Sequence, residues 1–358
     1  MKKNIKSYNF PEPVANAELV GHTGVQHAFL DAFSRRDEHP MHPVWMLTGV
    51  RGIGKATLAY RIARFVFNEQ LTMNNEQCYD DATGDLFGNE TVQTPLLSAS
   101  RSSTSLTMPA EHPIFQKMLA GGFGDFFIID LAHNLDKDGR PKTDTKQISV
   151  HTVRAMIERM QLSSMEGAWR IVVVDSLDEM TTAAQNAMLK LLEEPPANTL
   201  FLLVAHSLAA TLPTVRSRSR VEKLRPLTIS ELREIAQVLL PPDEQDLSPE
   251  LLKLAAGSFG RIANLKQSGG DELYKELLDI IANERSSAAD VMTIAASIAR
   301  ADNLMGILSD AAARFGCADL YPAVAFDIAA ANGLHLEPEI AAFRIIMEIR
   351  KKVVSVSG

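Results

Sequence analysis

Cysteine is almost absent from this chain: among 358 residues only Cys78 and Cys317 occur. Two cysteines so far apart exclude a disulfide framework, and they cannot build a zinc site without another chain, so no zinc and no other bound metal is expected. Long hydrophobic runs are missing as well. No stretch approaches the roughly 18 consecutive apolar residues of a membrane helix, and runs such as Leu200 to Ala205 are strand-sized. A membrane role is therefore excluded as an expectation. An excess of positive charge is lacking too. With 36 Lys+Arg against 44 Asp+Glu the formal charge is -8, so the chain as a whole does not attract phosphate backbones, and any DNA contact must be local or shared with partners. The N-terminal MKKNIKSYNFPEP has no apolar stretch behind its lysines, which does not read as a secretory signal. A cytoplasmic protein is expected.

What the sequence does contain is enough apolar residue, 46% of the chain, to bury more than one core, and the length favours two or three domains. Short apolar runs alternate with helical patterns through about residue 226, the signature of a mostly parallel sheet. Candidate strands are Val44 to Thr48, Phe126 to Leu131, Arg170 to Asp175 and Leu200 to Ala205. Each is short and bounded by polar or turn residues, as strands covered on both faces are. A polar stretch from about Asn74 to Pro113, including SASRSSTSLT, reads as an insertion outside the core. After Pro226 helical spacing takes over. Residues 227–268 suggest a small three-helix unit, from Ile229 to Leu240, Pro249 to Ala256 and Arg261 to Lys266. Beyond Ser268-Gly269-Gly270, five segments suggest a helical bundle over 269–358: ELYKELLDII, ADVMTIAASIA, NLMGILSDAAARF, PAVAFDIAAA and PEIAAFRIIMEIRKKV.

The run Gly49-Val50-Arg51-Gly52-Ile53-Gly54-Lys55-Ala56 follows a candidate strand and opens a helix, the context that gives a P-loop motif its meaning. Glycines let backbone N–H groups converge on phosphate, the helix N-terminus adds partial positive charge, and Lys55 can reach the β- and γ-phosphates. One position departs from the motif. Where a Ser or Thr hydroxyl holds Mg²⁺, Ala56 has no oxygen, and Thr57 is turned about 100° away along the helix. The loop is therefore expected to take ATP or ADP and to hydrolyse it weakly or not at all.

A second departure agrees with the first. The strand Arg170 to Asp175 ends in an acid, the setting of a Walker B aspartate, yet Ser176 stands where a glutamate base would. Asp178 and Glu179 follow, and first-turn acids near a helix N-terminus capped by Thr181 or Thr182 are the expected reading for both.

The stretch RIVVVDSLDEMTTAAQNAMLKLLEEPPANTLFLLVAHSLAATLPTVRSRSR resembles the clamp-loader branch of the AAA+ family. That resemblance implies an α/β AAA+ (P-loop NTPase-like) domain with a parallel sheet over residues 1–226, then a small helical lid, then an all-α C-terminal collar through which subunits form a ring. It also implies roles. Ser217-Arg218-Ser219 takes the place of a Ser-Arg-Cys element, which makes Arg218 an arginine finger pointing into a neighbour's ATP site. Gly49, Gly52, Gly54, Lys55, Ala56, Thr57 and Asp175 would line this chain's own nucleotide site. Val20-Gly21-His22 resembles the opening box, His206 and Ser207 stand at the sensor 1 position, and Gly257-Ser258-Phe259-Gly260-Arg261 resembles sensor 2, with Arg261 its arginine. The implied partners are the ATPase motor and clamp-opening subunits in a hetero-oligomeric ring, and, through that ring, the sliding clamp and primed DNA.

Motor subunits of this branch keep the P-loop Thr, the Asp-Glu pair and a four-cysteine zinc module; this chain has none of the three intact. The resemblance thus implies a subunit that lends a finger without hydrolysing. A self-sufficient ATP motor of helicase or remodeller type is the rival, and it would need a base from Asp178 or Glu179. A small-molecule P-loop kinase leaves the lid and helical domain unexplained. The cluster Arg216, Arg218, Arg220, Lys223 and Arg225 reads as one finger plus a solvated face rather than a nucleic-acid patch. His22, His27, His39 and His42 lack metal-ligand spacing and read as surface or packing residues, and the fourteen methionines read as core fillers.

Overall fold

The computed structural model describes residues 10–80, 105–142, 145–161, 169–268, 270–283, 285–299, 304–317 and 338–357. The chain divides into two compact units, one spanning Pro11–Pro226 and the other Leu227–Gly358 with the N-terminal residues up to Phe10.

Among the described residues, the first unit is built on five parallel strands: β1 (Val44–Thr48), β2 (Phe126–Asp130), β3 (Arg170–Asp175), β4 (Thr199–Ala205) and β5 (Arg220–Lys223). Their order across the sheet is β2-β3-β4-β1-β5. Four of these strands coincide with the candidates from the apolar runs, to within a residue at either end. The fifth, RVEK, alternates intermediate and exposed positions at an edge, so it carries no apolar run.

Alternation along each strand feeds two cores. Trp45, Leu47, Ile171, Val173, Leu200, Leu202 and Val204 pack on one face with the helices α1 (Thr23–Ser34), α2 (Lys55–Asp80) and α3 (Pro113–Leu119). Val44, Met46, Val172, Val174, Phe201, Leu203 and Ala205 pack on the other with α4 (Val150–Met160) and α5 (Thr182–Glu193). Both faces are therefore dry, which is why the inner strands read as unbroken apolar runs. Polar side chains start where helices begin: Ser149 accepts from the amides of His151 and Thr152 at the head of α4, and Thr181 from that of Ala184 at the head of α5. A short helix, α6 (Pro213–Arg216), leads into β5.

The N-terminal segment is strapped to α2 by two buried arginines. Arg61 donates to Ala17 O at 2.7 Å, and Arg64 to Val14 O at 3.0 Å and Asn16 O at 3.1 Å while stacking over the Phe115 ring. Carbonyl acceptors hold the terminal nitrogens of both guanidinium groups, while each Nε is buried without a hydrogen-bond partner. This strap delivers Leu19 and His22 to the loop after β1.

The expectation of an insertion from Asn74 to Pro113 needs correction at both flanks. Helix α2 continues to Asp80, so residues 74–80 are helical, and Leu106 and Met108 are buried members of the α2 core. Their isolated apolar side chains in a Ser- and Thr-rich segment gave no periodic signal. The rest of that stretch, 81–104, lies outside the described residues.

The described part of the second unit contains only helices: α7 (Ile229–Leu239), α8 (Pro249–Ala255), α9 (Phe259–Ser268), α10 (Gly270–Ala282), α11 (Ala288–Ala299), α12 (Leu304–Arg314) and α13 (Pro338–Ser357). A capping box between Thr228 and Glu231 opens α7. Helix α13 packs chiefly on α11, with Arg350 donating to Asn283 O and Ser286 O. The segment PAVAFDIAAA lies outside the described residues. No helix of the described residues is long and apolar enough to cross a membrane.

Phe201 is fully buried in the centre of the sheet, whereas Val221 on the β5 edge is 38% exposed. Phe201→Ala is expected to lower the unfolding free energy by about 3–5 kcal/mol, and Val221→Ala by less than about 1 kcal/mol. Denaturant titration of both variants checks this, and equal losses would contradict the two-faced burial.

Candidate functional site

In an open parallel sheet, ligands bind beyond the carboxyl ends of the strands, where the strand order reverses. At that edge the loop after β1 runs between β4 and β5: Gly49 N donates to Ala205 O at 3.3 Å, and Leu224 N to Thr48 O at 2.8 Å. A Cβ at Gly49, whose φ is +150°, would come within 2.6 Å of Leu224 O, so no other residue fits there without moving backbone. Gly52 and Gly54 also have positive φ, at 79° and 96°. From behind, His22 Nε2 bonds Ile53 O at 2.7 Å, in a left-handed conformation with φ 57°. The opening box is thus the rear wall of the loop, and its histidine is a buried strut.

Lys55 is buried and its ammonium donates to Gly49 O at 2.7 Å and Val50 O at 2.6 Å. Burial pulls its pKa down to about 8, with Arg51 acting the same way, while Asp175 and Asp178 oppose the shift. Ala56, which has no hydroxyl, is partly buried against the α2 core, and Thr57 is buried.

Asp175 closes β3 beside Asp130 at the end of β2, its register partner. Burial pushes the Asp175 pKa up to about 6, reinforced by Glu179 and Asp130 and opposed by Lys55 and Arg51. Ser176 is fully buried, and its Oγ has no hydrogen-bond partner. The two acids beyond it are both engaged. Asp178 accepts from the amides of His206 at 2.5 Å and Ser207 at 2.7 Å, and Glu179 pairs with Arg51 at 3.2 Å. Those long-range roles correct the expectation that they serve the head of α5: they lie in a short 3-10 turn before the Thr181 cap. Nothing local in the sequence indicated that Asp178 would tie the ends of β3 and β4 together. Burial, with Lys55 and Arg51 adding to it, holds the His206 imidazole down to a pKa of about 4, so it is neutral at pH 7. Its Nδ1 is buried without a partner.

The structure therefore brings Gly49, Gly52, Gly54, Lys55 and Asp175 together at one edge, with Ala56 and Thr57 opening the helix behind Lys55. Arg218 lies elsewhere in the same unit, in the turn between α6 and β5. Its guanidinium pairs through Nη2 with Glu193 Oε1, and through Nη1 it donates to Thr214 O at 2.9 Å and Ser217 Oγ at 3.4 Å. Arg220 and Glu222 form a neighbouring pair at 2.8 Å, with Arg220 stacked on Trp45. Gln185 was not singled out by sequence. It is buried on α5, donates to Leu177 O and Ala210 O, and accepts from Leu212 N. It ties the turn after β3 to the segment entering α6. Arg261 is in the first turn of α9, in the second unit, where its amide bonds Ser258 Oγ at 3.2 Å. No group of His, Cys, Asp or Glu among the described residues is arranged to hold a metal ion.

Residues 26–228 match the family described as DNA polymerase III, delta subunit. The chain is similar to the DNA polymerase III subunit delta' of Pseudomonas aeruginosa, 31% identical over 40% of this chain and 40% of that protein. It is likewise similar to the subunit delta' of Escherichia coli K12, 29% identical over 68% of this chain and 72% of the relative. A shorter match, to the subunit delta' of Yersinia pestis, spans 27% of that protein, so this match and the one to the Pseudomonas aeruginosa subunit each reach well under two thirds of the relative's length. Among solved structures, a gamma subunit-related protein of Thermotoga maritima aligns over 90% of this chain and 99% of its own, with a TM-score of 0.42 and 12% identity. The AAA+ fold rests on the strand order and the family match.

The raised pKa of Asp175 fixes the sign of a pH effect. A carboxyl whose folded pKa lies above its ordinary 3.8 favours folding when protonated, and that contribution is lost as pH rises from about 4 to 6. Asp175→Asn is therefore expected to raise the unfolding free energy at pH 7, by about 3 kcal/mol at most, and to change it little at pH 4. Melting curves at both pH values measure this; destabilisation at pH 7 would contradict the assignment.

Proposed function

Because the chain belongs to the DNA polymerase III delta subunit family, we propose that it is a delta-prime-like subunit of that holoenzyme's clamp loader. In this reading it joins ATPase motor and clamp-opening subunits in a hetero-oligomeric ring that loads the sliding clamp on primed DNA. It contributes to a DNA-directed DNA polymerase assembly without a reaction of its own. Relatives carrying the names subunit delta', subunit gamma and Replication factor C subunit 3 support a ring of related subunits.

The observation that carries the non-hydrolysing part is the state of the strand-end acids. Ser176, where a base would stand, is sealed in the core, and Asp178 and Glu179 are already bonded to backbone amides and to Arg51. Neither can approach a water without breaking those bonds, which also weighs against a self-sufficient motor. The glycine loop suits the phosphates of ATP or ADP, with Gly49, Gly52, Gly54 and Lys55 as the groups that would hold them. Lys55 would then exchange two loop carbonyls for phosphate oxygens. A magnesium ion does not fit: Ala56 offers it no oxygen. Asp175 would remain to face Lys55. Arg261 would serve as the sensor 2 arginine, and Arg218 would act in trans on a neighbour's γ-phosphate, an always-charged planar donor suited to developing charge.

The isolated chain is expected to hydrolyse ATP at the rate of a Lys55→Ala control. Turnover clearly above that control would favour the motor reading. In a complex reconstituted with its motor subunits, clamp and primed DNA, Arg218→Ala is expected to lower ATPase about tenfold or more. Arginine fingers contribute roughly 10³ to 10⁵ in GTPases, and a ring with several shared sites shows less. Because the Arg218–Glu193 pair is at the surface, 33% and 47% exposed, its loss should cost under about 1 kcal/mol of stability. A variant that melts much earlier yet leaves the complex's ATPase intact would reduce Arg218 to a structural ion pair.

A further inference from the structure

The sequence LLEEPP, which closes α5, has an odd feature. Glu193 is the last helical residue and Glu194 the cap, so two acids sit at the negative end of the helix dipole, where carboxylates are disfavoured. The structure supplies the compensation for the first of them: Glu193 Oε1 meets Nη2 of Arg218. Glu194, the cap itself, bonds only through its amide, to Lys190 O.

The pairing divides the guanidinium into a held part and a free part. Nη1 is taken by Thr214 O and Ser217 Oγ, and Nη2 gives one hydrogen to Glu193. Of the five N–H donors of an arginine, Nε–H and the second hydrogen of Nη2 remain without a partner, on a side chain still one third exposed. Two anchors from different elements, α5 and α6, thus fix a long side chain that would otherwise be free to rotate, while two donors stay available to an anion arriving from outside the chain.

We propose that Glu193 is a positioning residue for Arg218: it holds the guanidinium at the height and angle at which its remaining donors meet a partner subunit's γ-phosphate. This inference rests on the reading of Arg218 as a finger in trans. The effect of Glu193 runs through Arg218, the partner of its carboxylate. The acid at the helix end serves orientation, since the pair is too exposed to add much stability. Ordering one long side chain before the reaction, rather than during it, is worth about two- to tenfold in rate.

The test uses the reconstituted complex, with motor subunits, sliding clamp, primed DNA and ATP. Glu193→Ala is expected to lower the turnover number two- to tenfold with KM for ATP unchanged and the melting temperature within a degree or two. Glu193→Gln keeps an acceptor oxygen in the same place and is expected to restore part of the loss. In an Arg218→Ala background, Glu193→Ala is expected to change nothing further. If Arg218→Ala leaves turnover intact, the finger reading itself fails. If Arg218→Ala lowers turnover but Glu193→Ala equals the unsubstituted protein, or raises turnover, the positioning role is overturned. A Glu193→Ala loss that persists undiminished in the Arg218→Ala background overturns it equally.

Discussion

Two-sided burial of the parallel sheet is the constraint from which the rest follows. With helices on both faces, β1, β3 and β4 have no solvent side, and their residues are buried almost without exception. Polar chemistry can then appear only where a strand stops. Thr48, Asp130, Asp175 and His206 stand at four such ends, and the glycine loop is placed among them because β1 lies between β4 and β5. The site is a by-product of the core: its residues are near each other because the strands that precede them could not tolerate them any earlier.

Within that edge, the balance of charge explains the bonds Lys55 makes to the loop. Lys55 is too buried to keep a free ammonium comfortably, and it settles on two backbone carbonyls with Asp175 and Asp178 nearby. Asp175 is correspondingly reluctant to ionise. Asp178, by contrast, has two amide donors, and that compensation suits a carboxylate more than any catalytic duty would. An acid spent on holding β3 to β4 is not free to activate water.

A similar economy applies at the other end of α5. Gln185 near its start and Glu193 at its finish fasten that helix to the chain on either side of α6. The turn that carries Arg218 is therefore held from two points of one rigid element.

Much of this was legible in the sequence alone. Apolar runs located β1, β2, β3 and β4, because a doubly covered strand must be apolar throughout; spacing of three and four located the helices after Pro226. Glycines before Lys55, the missing hydroxyl at Ala56 and the missing acid at Ser176 could be read from order along the chain, since the chemistry of a loop is local. Strand β5 escaped because an edge strand with one solvated face needs no apolar run, and Leu106 and Met108 escaped because single anchors have no period. What only the tertiary structure decided was pairing across long separations: Asp178 with the amides of His206 and Ser207, Arg64 with the strap, His22 with Ile53, Glu193 with Arg218. A carboxylate or guanidinium has the same composition wherever it points, and its partner is fixed only when packing of the two cores brings distant segments within hydrogen-bond reach.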